Sequence, residues 1–553
     1  MDYLAGLNEP QRKAVEHIDG PLMIIAGAGS GKTRVLTYRT AHLIEKGVDP
    51  FAILLLTFTN KAAGEMRHRI ETVIGNAAKN IWMGTFHSIF AKILRFEGTR
   101  LGYTSNFSIY DTDDSKSLIR ALIKEKNLDD KVYKENLVLN RISNAKNRLI
   151  GPAQYTGSSI LAEEDRLARI PAMGELYQLY CARCFAANAM DFDDLIMKTV
   201  QVLQKFPEAK ARFRSRFRHI LIDEYQDTNH AQYQLVKELT GVEGDGFPLA
   251  ELCVVGDADQ SIYGFRGATI RNILQFEVDY PNATTVLLEQ NYRSTQNILS
   301  AANAVITKNE SRKEKNLWSD AGSGAPLTGY VAESEYDEAE FIKGEIRSLQ
   351  DMGHSNPGDT AIFYRTNAQS RIFEEVFMRA AIPYKVVGGL RFYERKEVKD
   401  LLAYLRVLAN PDDEVSLRRV INFPKRGIGD RALEEVELFA ELHGISFWNA
   451  LLRVTEATAV PNKAALSIST FTSMLTALQT LVEAKTKPSM IIEAVLEQSG
   501  LLTELEASTD PQDEVRVENL KELVAVAMEY EERPFDALAE DEEISLSGFL
   551  EKV

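Results

Sequence analysis

Short, almost wholly apolar runs alternate with stretches of helical period through the first half of the chain. The runs at 22–26, 52–58, 220–222, 252–255 and 285–288 are the clearest. Apolar runs followed by amphipathic helices predict strands of a parallel sheet covered on both faces. The stretch 35–46 is one such helix, stopped by Gly47. Between Phe90 and Lys205 the pattern changes to charged, helix-rich sequence with few strand signals, which predicts a helical insertion in the first α/β domain. A second α/β pattern begins near Asn282, with strand candidates at 327–331, 360–364 and 384–387. From about Lys396 helices dominate again, punctuated by Pro461 and Pro488, since proline starts or breaks a helix rather than continuing it.

Length agrees with this division. A chain of 553 residues has room for about four units at roughly 100–200 residues each. With 45% hydrophobic and 26% charged residues, it reads as globular. No apolar run reaches the roughly 18–20 residues that cross a bilayer. The N-terminus has neither a basic region nor an apolar signal core. Both features predict a cytoplasmic protein without membrane contact. Three cysteines are too few for a disulfide scaffold. Cys181 and Cys184 form a lone C-x-x-C without the second ligand pair that zinc requires, and are read as two thiols on a helix face. The net charge of −16 argues mildly against nucleic acid if it is spread evenly. It is not: 531–543 is acid-rich, whereas Arg212 to Arg218 is basic.

The strongest local signal is Ala26-Gly27-Ala28-Gly29-Ser30-Gly31-Lys32-Thr33, followed by Arg34. A strand precedes it and a helix follows it, as a phosphate-binding loop requires. Glycines let several backbone N–H groups face one anion, and the helix N-terminus adds a favourable dipole. Lys32 is expected on the β- and γ-phosphates of ATP and Thr33 on Mg²⁺. Hydrolysis needs an acidic partner, and the run His219-Ile220-Leu221-Ile222 delivers Asp223 and Glu224 at a strand's C-terminal end. Asp223 is expected to hold Mg²⁺ and Glu224 to orient or deprotonate the attacking water. A helix cap is the competing reading for the two acids taken alone. Asp191-Phe192-Asp193-Asp194 invites a metal reading, but acids at a helix N-terminus are the commoner cause, and structural support is expected.

Further blocks, in one order over nearly the whole chain, resemble the UvrD/Rep-type superfamily 1A DNA helicases. They are Leu7-Asn8-Glu9-Pro10-Gln11, Thr57-Phe58-Thr59-Asn60, Gly84-Thr85-Phe86-His87-Ser88, Asp223-Glu224-Tyr225-Gln226-Asp227, Gly256-Asp257-Ala258-Asp259-Gln260-Ser261-Ile262-Tyr263-Gly264-Phe265-Arg266, Gln290-Asn291-Tyr292-Arg293-Ser294 and Tyr364-Arg365-Thr366-Asn367. The resemblance implies two RecA-like motor domains, each with a mostly helical insertion. The first motor domain would take 1–90 and 206–280, with 91–205 as its insertion. The second would take 281–395, with 396–553 as its insertion. It also implies that Gln11 reads adenine, Tyr292 stacks on it, Gln260 senses the γ-phosphate and Arg293 is an arginine finger, an effect worth roughly 10³–10⁵ in rate elsewhere. Single-stranded DNA would meet Phe58, Asn60, Phe86, His87, Tyr263, Phe265, Arg266, Arg365 and Asn367. Aromatic stacking there would contribute about 1–3 kcal/mol per base. For Phe86 a core position is the competing reading. In Lys425-Arg426-Gly427-Ile428-Gly429, Gly427 and Gly429 are expected to offer backbone N–H groups to duplex phosphates; a plain interhelical turn is the alternative.

The resemblance further predicts a return to the second motor domain, carrying a Thr-x-His-x-x-Lys-Gly-Leu-Glu-type block and a Thr-Arg-Ala-type block. Neither is present up to Val553, so the second motor domain is expected to be incomplete. The expected function is an ATP-dependent helicase moving 3′-to-5′ on single-stranded DNA and opening duplex junctions in repair or replication, with accessory proteins as possible partners. The alternative is a chain that binds ATP and DNA without productive unwinding. A P-loop kinase of small metabolites would need neither the second α/β unit nor the aromatic run after Gln260.

Overall fold

In the computed structural model the described residues are 4–241, 246, 248–264, 267–309, 313–366, 369–387, 392–508, 511–532 and 544–551. Eight strands are present among them: β1 (Leu22–Ala26), β2 (Ile53–Thr57), β3 (Trp82–Thr85), β4 (Ser108–Tyr110), β5 (Ala189–Asp191), β6 (His219–Ile222), β7 (Glu251–Gly256) and β8 (Thr284–Leu288). Six form one parallel sheet in the order β3-β2-β6-β7-β1-β8. The apolar runs are continuous because both faces are covered. Met23, Ile25, Leu54, Leu56, Ile220, Ile222 and Val254 enter the core on one face. Leu22, Ile24, Ile53, Leu55, Leu221, Cys253 and Val255 enter the core on the other. β8 pairs with β1 along its length, so this sheet extends past the boundary at 280/281 that the sequence suggested.

Parallel strands all end at one edge. The loops after β1, β2, β3, β6 and β7, which carry nearly every motif of the first half, are therefore neighbours. The expected helical insertion is present, with β4 and β5 as a small parallel pair inside it. A buried cation anchors it: Lys146 Nζ lies 2.7 Å from both Asp191 and Asp194, and the Tyr180 hydroxyl donates to Asp191 at 2.9 Å. Burial opposes the ammonium charge, but the two carboxylates hold the Lys146 pKa well above its ordinary value. Asp191 and Asp194 also cap the helix Phe192–Lys205 reciprocally. These acids serve the fold.

The second α/β unit departs from expectation. None of 327–331, 360–364 and 384–387 is a strand. Val331 is 95% exposed and Phe363 94%. A strand exists only when a neighbour takes its backbone hydrogen bonds, and among the described residues these segments have none. What packs in this unit is the helix pair Glu335–Asp351 and Ser370–Arg379, around Ala339, Ile346, Val376 and Phe377. The described residues between 396 and 550 form a helical unit with a large core of their own. Its helix Asn462–Glu483 is long and apolar enough to cross a membrane, a feature the search for apolar runs passed over. Ile468, Phe471, Leu475 and Leu478 of that helix are buried in the helical core.

Replacing Lys146 with Met leaves two buried carboxylates without their cation. The expected cost is about 3–5 kcal/mol, read as a shift of the denaturant unfolding transition.

Candidate functional site

After β1 the chain turns through Gly27 to Gly31 and enters the helix Lys32–Glu45. Gly29 (φ +67°) and Gly31 (φ +89°) occupy the left-handed region, which side chains disfavour. Space demands glycine as well. A Cβ at Gly29 would lie 2.6 Å from Asn291 Nδ2, and one at Gly31 would lie 2.9 Å from Gln11 Nε2. The Ser30 hydroxyl donates to Gly27 O at 2.8 Å and Gln11 Nε2 to Ser30 O at 2.9 Å. Gln11, fully buried, braces the loop and caps the helix Glu9–Glu16 reciprocally with Asn8.

β6 delivers the acids. Asp223 is 5% exposed. Burial first, and the Glu224 charge second, push its carboxyl up to about 6. Glu224 sits at φ +50°, a strained conformation for a non-glycine residue that costs about 1–3 kcal/mol and clusters at functional sites. There its carboxylate meets Lys32 Nζ at 2.8 Å. Gln226 Nε2 donates to the same Glu224 oxygen at 2.8 Å, and Gln226 Oε1 accepts the Asp257 N–H at 2.9 Å. Asp257 follows β7 and accepts from Gln260 Nε2 at 2.5 Å. A continuous chain of polar contacts thus runs from the P-loop lysine to Gln260.

The other wall comes from residues after β8. Asn291 Nδ2 donates to Ala28 O at 2.6 Å and the Tyr292 N–H to Gly29 O at 2.9 Å. Asn8 Nδ2 reaches the Tyr292 hydroxyl at 2.8 Å. One cavity of about 440 Å³ is lined by Ala28, Gly29, Gly31, Lys32, Thr33, Arg34, Glu224, Gln260, Tyr292 and Arg293. Its volume suits a small-molecule ligand. Tyr292 is half exposed, leaving a ring face for a base. The Thr33 hydroxyl and the Asp223 carboxylate are hard oxygen donors of the kind Mg²⁺ takes.

The same sheet edge carries the candidate nucleic-acid residues. Phe58 after β2 and Tyr263 after β7 are half-buried, with ring centroids 4.7 Å apart. Asn60 is exposed. His87 contacts the ring of Phe192 edge-on at 5.7 Å, and Phe192 is half exposed. Phe86 is 2% exposed and packs on Phe90, so it has no free face for a base and belongs to the core. Asn60, His87 and Phe192 open into a cleft of about 1260 Å³, which is also lined by Trp82, Lys92, Arg212, Arg216, Lys399 and Arg406. Lys92 and Arg216 lie over the Trp82 ring. Arg365 is exposed in the second α/β unit. Phe265, Arg266 and Asn367 lie outside the described residues. Gly427 and Gly429 are exposed on either side of buried Ile428. Arg426 braces that turn through the Tyr404 hydroxyl at 2.8 Å and Ser499 O at 2.9 Å.

Residues 7–281 match the UvrD/REP helicase N-terminal domain and residues 286–553 the UvrD-like helicase C-terminal domain. The chain belongs to the UvrD/Rep helicase family. It is 53% identical over its whole length to the ATP-dependent DNA helicase UvrD1 of Mycobacterium tuberculosis, covering 72% of that protein. It is 51% identical to UvrD1 of Mycobacterium leprae, covering all of this chain and 73% of the relative. It is 44% identical to the ATP-dependent DNA helicase PcrA of Bacillus subtilis over 96% of this chain and 70% of the relative. The fold is the two-motor α/β arrangement of this family, a parallel sheet with many helices.

For this UvrD/Rep-type chain, sequence reasoning left Gln226, Asn291 and Asn8 without roles, although each lies inside a quoted block. It missed Glu65 and Arg69, which line the nucleotide cavity from the middle of the helix Asn60–Ile74, where nothing in their spacing marks them. The Asp223 carboxyl near 6 gives a pH test. Above that value the carboxylate is available to a cation; below it the proton competes, by about tenfold per pH unit. Mg²⁺-dependent binding of ATP is expected to weaken as pH falls below about 6, and Asp223→Asn is expected to flatten that profile in a titration with a fluorescent ATP analogue.

Proposed function

We propose that this chain is an ATP-dependent DNA helicase whose ATP hydrolysis is stimulated by single-stranded DNA. The observation that carries the reading is the convergence of Lys32, Glu224, Gln260 and Arg293 on one cavity, with the rings of Phe58 and Tyr263 in tilted contact at the same sheet edge. The contact between Lys32 and Glu224 supports an exchange at the start of the cycle. Lys32 holds Glu224; an entering triphosphate takes the lysine and releases the carboxylate. Glu224 then accepts a proton from water as its oxygen bonds to the γ-phosphorus and the bond to the bridging oxygen of ADP breaks. Thr33 and Asp223 would hold Mg²⁺, which would supply charge neutralisation at the phosphates. Arg293 stabilises the transferring phosphoryl group, Gln260 reads its presence, and Tyr292 offers its ring to adenine.

The track is single-stranded DNA held by Phe58 and Tyr263, with Asn60, His87 and the Trp82 cleft beside them. Arg365, Gly427 and Gly429 meet DNA farther along, the glycines through backbone N–H groups on duplex phosphate. Movement 3′-to-5′, work at duplex junctions in repair or replication, and a cytoplasmic location follow from the family resemblance.

ATPase rates with and without single-stranded DNA test the reading. Strong stimulation is expected, with none left in Lys32→Ala and kcat lowered roughly 10³–10⁵-fold in Arg293→Ala. Tight DNA binding without stimulation would favour a chain that binds both ligands and does not turn over. Tyr263→Ala is expected to weaken single-stranded DNA binding by about 1–3 kcal/mol with little change in ATP affinity, measured by fluorescence anisotropy.

A further inference from the structure

A short segment outside every quoted motif touches all three parts of the nucleotide site. Lys315 is 9% exposed and its ammonium pairs with both Asp257 and Asp259. Asp257 is the residue whose carboxylate accepts from the Gln260 amide and whose N–H donates to Gln226 Oε1. Two residues on, Leu317 lies against the P-loop so closely that a Cβ on Gly27 would come within 2.1 Å of its Cδ2. Next, the Trp318 carbonyl accepts the Asn291 N–H at 2.8 Å and the Trp318 N–H donates to Glu289 O at 3.2 Å, bracing the strand end that leads to Arg293. The segment is fixed to the helix Gln296–Ile306 by Asn303, whose Nδ2 donates to Asn316 Oδ1 at 2.8 Å and to Leu317 O at 3.0 Å.

We propose that Lys315 is a positioning residue that ties the second motor unit to the phosphate-sensing Gln260 through Asp257. The inference rests on the reading of Gln260 and Arg293 given above. The physical case is that a buried ammonium between two carboxylates tolerates little displacement, because each ion uncovered in a low-dielectric interior is costly. When the segment bearing Arg293 moves, Lys315 moves with it, and the Asp257 carboxylate must follow or lose its cation. Gln260 hangs from the other oxygen of that carboxylate, three residues before Tyr263. The arrival of the arginine and the aim of the sensing amide are then one event.

The experiment compares the affinity of the whole chain for a fluorescent single-stranded oligonucleotide with and without a non-hydrolysable ATP analogue. Allosteric linkage of this kind is typically about 5–150-fold. In Lys315→Met the analogue and the oligonucleotide are each expected to bind as before when alone, while the linkage falls to within about twofold; Lys315→Arg, which keeps the charge, is expected to restore part of it. A merely structural lysine would move the melting temperature and leave the linkage in place. Should Lys315→Met fail to fold, Lys315→Met combined with Asp259→Asn removes one charge of each sign, leaves Asp257 with Gln260, and is expected to lose the linkage equally. Linkage that survives in either variant overturns this inference alone. Absence of linkage in the unmodified chain overturns the motor reading, and this inference with it.

Discussion

Lys32 and Glu224 stand 2.8 Å apart, and most of what surrounds them exists to put them there. The lysine opens a helix that can begin only because Gly31 takes a left-handed turn. The glutamate reaches it from a second strand through a left-handed backbone of its own. Neither group is matched for good. On the proposed reading, a triphosphate would take the lysine and leave the carboxylate free to accept a proton. The parallel sheet makes the pairing possible, since β1, β7 and β6 are neighbours and all end at the same edge. An antiparallel sheet of the same strands would send alternate loops to opposite sides.

From that pair the polar chain continues through Gln226 and Asp257 to Gln260, and three residues later the chain presents Tyr263 to Phe58. The first helical insertion joins the same chain. Asn229 Nδ2 donates to Asn147 Oδ1 at 2.6 Å, and Asn147 Nδ2 to Asp193 at 3.0 Å, beside the buried Lys146 cluster. The cleft next to Trp82 gathers basic side chains on a chain that is acidic as a whole. Its cations are held in different ways. Arg406 and Lys399 pair with Asp114, Asp111 and Asp113 and so hold the two helical insertions together. Arg216 lies over the Trp82 ring, where the attraction is weaker and a phosphate competes more easily.

The parts of this arrangement legible in the sequence were those in which the chemistry is local. The P-loop is eight consecutive residues whose glycines, lysine and threonine are each required by the turn. The acids after β6 follow a buried run that could be little else. The strands β1, β2, β6 and β7 announced themselves by mostly apolar side chains, because two covered faces leave little room for polar positions; β8, at the sheet edge, shows only a short apolar run after two threonines. β3 did not announce itself, since Trp82-Met83-Gly84-Thr85 holds only four residues and one of them is glycine. Phe86 misled in part because His87 and Ser88, which follow it, are half-buried and exposed respectively while its own ring turns inward. The clasp of Asn291 on Ala28 and of Lys315 on Asp257 joins residues 263 and 58 positions apart, and no spacing rule reaches that far.

The three apolar segments of the second α/β unit teach a different lesson. Apolar patterning records that a segment is suited to burial; it does not supply the neighbour. With Val331 and Phe363 almost fully exposed, the unit is held by two helices and a core of Ala339, Ile346, Val376, Phe377 and Ile382, far smaller than the cores of the first sheet. Its grip on the nucleotide site is accordingly narrow: Asn291 and Tyr292 on the P-loop, Asn8 on Tyr292, and the segment from Lys315 to Trp318. A large apolar interface would fix the two units in one geometry. A few charged and hydrogen-bonded contacts, each at the rim of the phosphate cavity, can be made and broken within the free energy that binding one triphosphate provides. The narrowness of that contact is what would let a ligand of this size govern the position of a whole domain.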